Sequence, residues 1–114
     1  DFSTSDIKLI HDTLAERYGK PTETQRADIE LNTDKTDHEL TACPAIYWEH
    51  EDCHFIIAKE TDNTFFCQFF YSDSDEQYGT GKPSYDDLRD CIMALLHVQA
   101  NHELSKAGVL KENT

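Results

Sequence analysis

Between Pro44 and Tyr71, three runs of aromatic and β-branched residues follow one another: "PAIYW", "CHFIIAK" and "TFFCQFFY". Only "EHED" and "ETDN" separate them. Residues of the first kind suit a pleated, half-buried surface, and short polar segments of the second kind make turns. The spacing predicts an antiparallel meander, and this is the strongest constraint on the fold. The third run is nearly all apolar, which places it in the sheet centre or under cover on both faces. With four-residue turns, Ile46, Trp48, Phe55, Ile57, Phe66 and Phe70 share one face, and Tyr47, Ile56, Phe65, Cys67 and Phe69 the other. Both faces are then apolar. One is expected to pack on helices and the other to meet something else, such as a second subunit.

Two helices flank the meander. In residues 3–18, "STSDIKLIHDTLAERY", Ile7, Ile10, Leu14 and Tyr18 recur at helical spacing. Ser3 or Ser5 can cap this helix, Asp6 suits the positive end of its dipole, and Gly19 with Pro21 stops it. Ser84 is expected to cap the second helix, with Asp87 three places on as the acid of a capping box. Leu88, Cys91, Ile92, Leu95 and Val98 or Gln99 form its apolar stripe, and it should run to His102 or Leu104. Within residues 22–42, "ADIEL" alternates as a short strand would, and "NTDKTDHELTA" is polar and loop-like. The whole reads as one α+β domain over residues 1–114. It has an N-terminal helix, a three- to four-stranded antiparallel meander and a C-terminal helix, both helices lie on one face, and residues 105–114 form a loose tail.

His50-Glu51-Asp52-Cys53-His54 fits H-E-x-x-H, the signature of zinc peptidases. That chemistry needs a helix, because only helical pitch sets the two histidines on one side with the glutamate poised over bound water. Here "AIYW" precedes the motif and "FIIA" follows it, so a helix would spread apolar side chains around its whole circumference. As a hairpin the same residues alternate, with "EHED" in the turn. A metal site on His50 and His54 is the alternative, and it lacks a clear third ligand. No metal or other cofactor is expected.

Cys43, Cys53, Cys67 and Cys91 permit three disulfide pairings and contain no C-x-x-C unit, which argues against a zinc ribbon or a thioredoxin-like site. Two disulfides in an oxidising compartment and four buried thiols are the competing readings. The start at Asp1 rather than Met favours a periplasmic or secreted protein over a cytoplasmic one. Pairing Cys53, Cys67 or Cys91 with His11 or His97 for nucleophilic catalysis is disfavoured, since every such cysteine sits in an apolar run. The D-x-D opening of "DSDEQYGTG" departs from the EF-hand pattern, and "YGTGK" lacks the rest of a phosphate loop.

Charge then directs the functional reading. Ten basic against 23 acidic residues give a net charge of −13. Such a surface repels nucleic acid and anionic membranes and attracts basic protein surfaces. Asp73, Asp75, Glu76 and Tyr78 combine carboxylates with rigid aromatic area, the composition of a surface that grips Lys and Arg on a partner. A solvated loop entering the second helix would carry the same residues. Asp28, Glu30, Asp34, Asp37 and Glu39 form a second candidate surface. The expectation is a small, acidic, non-enzymatic binding protein that neutralises a basic toxin or enzyme, of the inhibitor or immunity-protein type. The alternatives are an acidic chaperone-like homodimer for a secreted protein and a small zinc peptidase.

Overall fold

A computed structural model of the chain describes residues 2–31, 41–61 and 63–106. Helix α1 (Thr4–Tyr18) leads into strands β1 (Gln25–Leu31), β2 (Thr41–His50), β3 (Cys53–Thr61), β4 (Thr64–Tyr71) and β5 (Gln77–Tyr78), and helix α2 (Leu88–Lys106) follows. The strands form one antiparallel sheet in sequence order, β1-β2-β3-β4-β5. The fold is α+β as expected, but the sheet has five strands among the described residues rather than three or four. The "ADIEL" segment is β1, and β5 is a two-residue strand from the Asp- and Gly-rich connection.

Local chemistry explains the helix limits. The Ser3 Oγ accepts from Asp6 N at 3.0 Å, and the Asp6 carboxylate accepts from Ser3 N at 3.1 Å, a reciprocal capping box. Gly19 closes α1 in the left-handed region at φ 74°, and its N–H donates to the Ala15 carbonyl. The cap of α2 is Asp87, not Ser84: the Asp87 Oδ2 accepts from Asp90 N at 3.0 Å. The reason lies in Tyr85, whose backbone exchanges two hydrogen bonds with Phe65 of β4, at 2.7 and 2.8 Å. That pairing keeps the chain extended past Ser84. Ser105 and Lys106 belong to α2, so the helix runs beyond Leu104 and takes up the start of the expected tail. Asp34, Asp37, Glu39 and residues 107–114 lie outside the described residues.

Both helices pack on one face of the sheet. Ile10 and Leu14 of α1 and Leu88, Cys91, Ile92, Leu95 and Leu96 of α2 meet Ile46, Trp48, Phe55, Ile57, Phe65, Cys67 and Phe69 in one core. Trp48 stacks on Phe55 at 5.0 Å between ring centroids. The opposite face carries a smaller cluster of Cys43, Ala45 and Ala58 with Ile29 and Phe66.

The facing of β4 is the reverse of the sequence expectation. A four-residue turn would set Lys59 opposite Thr64, and hence Ile57 opposite Phe66. A bulge between Lys59 and Thr61 instead puts Lys59 opposite Phe65 and Ile57 opposite Cys67. One residue of slip turns every side chain over, so Phe65, Cys67 and Phe69 face the helices, and Phe66 and Phe70 face away.

Candidate functional site

The hairpin turn between β2 and β3 decides what the histidine motif can do. It contains only Glu51 and Asp52, both in the left-handed region at φ 49° and 67°. This is the geometry of a tight two-residue hairpin, and it pairs His50 with Cys53 and Glu49 with His54. His50 therefore lies on the helix face, stacked on Tyr18 with centroids 3.8 Å apart. His54 lies on the other face, stacked on Phe70 at 4.9 Å. A sheet separates the two rings, so they do not converge on one ion. Among the described residues no group of three or more His, Cys, Asp or Glu is arranged to hold a metal.

His54 has partners that sequence spacing did not reveal. The Tyr47 hydroxyl meets its Nδ1, and its Nε2 lies 2.7 Å from the Ser72 Oγ. The Ser72 hydroxyl donates to the Asp52 carbonyl at 3.4 Å. Tyr47, His54 and Ser72 thus form one hydrogen-bonded chain. The chain of bonds ties the hairpin turn to the end of β4, and a second bond, Ser72 N to Asp52 O at 3.1 Å, reinforces it.

That clasp brings two acidic segments together. Glu49, Glu51 and Asp52 from the hairpin, and Asp73, Asp75 and Glu76 from the β4–β5 connection, are all exposed at one end of the molecule. Beside the hairpin runs a groove of about 700 Å³ lined by Arg17, Tyr18, His50, Glu51, Asp52, Gln99, Ala100, Glu103 and Leu104. Leu104 is one of two large apolar side chains left exposed among the described residues, at 44%.

Tyr78 is placed differently from the three acids. Its ring is half-buried, stacked on Phe69 at 5.3 Å and set against His102 at 4.5 Å, so it packs within the molecule. Next to it, the Tyr71 hydroxyl donates to Glu103 and accepts from Gln99 Nε2 at 3.2 Å. Burial, and then the bond to Glu103, push the Tyr71 phenol far above its ordinary range. The Lys106 ammonium sits 4.0 Å from the Tyr71 ring centroid and 3.7 Å from the Glu103 carboxylate. These contacts pin the end of α2 to the acidic end of the sheet.

All four cysteines are buried thiols without disulfides. Burial pushes the Cys53 thiol up to about 11 and raises that of Cys43. The histidines considered as catalytic partners lie elsewhere: His11 is exposed and bonded to Thr24 at 2.8 Å, and His97 is exposed and bonded to Asn101 at 3.2 Å. Asp28 and Glu30 are exposed on β1, the edge strand, away from the acidic end. Compared with protein families, curated proteins and solved structures, the chain matches none.

Proposed function

We propose that this protein is a non-enzymatic binding protein that neutralises a partner with a basic surface, as inhibitors and immunity proteins do. The observation that supports it is the clasped acidic end, where Glu51 and Asp52 stand beside Asp73, Asp75 and Glu76, with the exposed Leu104 in the adjoining groove. Carboxylates steer a basic partner and pair with its Lys and Arg, and an apolar anchor at the groove supplies the contact that holds it. Tyr78 supports this surface from beneath by packing on Phe69 and His102.

The test is charge reversal of Asp73, Asp75 and Glu76 to Lys, with association to a captured basic partner followed at several ionic strengths. The wild-type on-rate should fall at least about tenfold between low and high salt, and the variant should lose most of that dependence. Equal rates across the salt range would overturn the electrostatic reading.

One observation favours a second reading, an acidic chaperone-like homodimer. Tyr47, Ile56, Phe66 and Phe70 are half-buried on the sheet face turned away from both helices. Sedimentation giving a monomer at micromolar concentration would remove that reading.

A further inference from the structure

A disulfide needs two cysteines already close to each other, since the bond fixes their sulfurs about 2.05 Å apart. One pair of the four cysteines meets this condition. Cys67 projects from β4 into the main core, and Cys91 projects into it from the first turn of α2, at 4% and 0% exposure. The Cys67 Sγ lies 3.6 Å from the Cys91 carbonyl oxygen, so the Cys67 side chain reaches the Cys91 residue itself. The remaining pairings fail on geometry. Cys53 stands opposite Tyr71, four residues along β4 from Cys67, or about 13 Å at strand rise. Cys43 is on β2 in the cluster on the far face, with the sheet between it and the other three.

We propose that Cys67 and Cys91 form a disulfide that locks α2 to the centre of the sheet under oxidising conditions, while Cys43 and Cys53 remain thiols. The oxidant is an external disulfide, such as oxidised glutathione or a disulfide oxidoreductase. The thiolate of one cysteine attacks it, forming a mixed disulfide and releasing one external thiol. The second thiolate then attacks the mixed disulfide and releases the other external thiol. The protein loses two electrons and two protons, and the external disulfide takes up both. In the folded molecule both thiols are buried beneath α2, out of reach of an external disulfide. The exchange therefore belongs to the stage of folding before α2 docks.

The experiment is refolding of the full chain with a glutathione redox couple, followed by alkylation under denaturing conditions and peptide mass mapping. The expected result is loss of two of the four reactive thiols, with a cross-linked peptide pair containing Cys67 and Cys91. A Cys43→Ser/Cys53→Ser variant should form the same bond to the same extent, which keeps the test independent of substitutions in the bonded pair. Four alkylated cysteines after oxidative refolding, or a cross-link through Cys43 or Cys53, would overturn the proposal.

Discussion

The Glu51–Asp52 turn stores backbone strain at the surface proposed to bind, and removing it should stabilise the protein. Both residues occupy the left-handed region, at φ 49° and 67°, where glutamate loses about 1–2 kcal/mol and aspartate, like asparagine, much less. Asn-Gly is the pair that suits such a turn. Glycine at position 52 relieves the small remaining clash but loses about 0.5–1 kcal/mol of chain entropy on folding, so it brings little net gain. Glu51→Asn gains about 1 kcal/mol because asparagine tolerates this conformation without glycine's entropy. The double variant should gain about 1 kcal/mol, or roughly 4 °C in Tm for a domain of this size. Urea unfolding followed by the fluorescence of Trp48, the single tryptophan and 1% exposed, reads the change. A Glu51→Gln/Asp52→Ala variant removes the same two charges and leaves the backbone strained, so it should gain much less. Equal gains in the two variants would assign the effect to charge repulsion, and no gain in the Asn-Gly variant would refute the strain argument. The stabilised variant should also associate more slowly with a basic partner, having lost two of the acidic groups.

The other predictions concern the bulge, the second cap and the α2 anchor. Glu60 Oε1 is shielded and has no hydrogen-bond partner among the described residues, and burial raises the carboxyl above its ordinary 4.5. Because the folded value is the higher one, Glu60 contributes stability below pH about 4.5 that is lost as pH rises through the raised value. Glu60→Gln should remove that slope and gain up to about 1 kcal/mol near neutrality, limited by the partial exposure of the side chain; an unchanged pH–stability curve would count against it. Asp87→Ala should destabilise by about 1 kcal/mol and Ser84→Ala hardly at all, and the reverse order would restore Ser84 as the cap of α2. Tyr71→Phe should lower stability by about 1 kcal/mol by deleting the Glu103 and Gln99 contacts, and amide exchange should show earlier opening of the last turns of α2.

What could be read from the sequence tracks how local each cause is. Ile10 and Leu14 of α1, and Cys91, Ile92 and Leu95 of α2, announce their buried faces by spacing alone, and the three apolar runs announce β2, β3 and β4. The facing of β4 was lost at one residue, Glu60, because a bulge changes register without altering composition. The β5 strand leaves no mark in the sequence because two residues carry no periodicity, and its place is set by Phe69 and Phe70 of the neighbouring strand. Asp87 displaced Ser84 through a pairing with Phe65, 20 residues earlier than Tyr85. At the candidate surface, the exposure of Asp73, Asp75 and Glu76 follows from their chemistry. Their position beside Glu51 and Asp52 does not, since it depends on His54 and Ser72, which lie 18 residues apart.

Strand order equal to sequence order has a kinetic consequence. Each strand from β2 onward adds to the one just before it, so loop closure at each step spans a short stretch of chain, and the sheet can grow as the polypeptide is synthesised. The chain segment that forms α2 follows all five strands. Until it arrives, α1 is the one helix among the described residues that shields the face bearing Trp48, Phe55, Ile57 and Phe69. Any intermediate in which α2 has yet to dock exposes part of that apolar face, and the docking of α2 covers it.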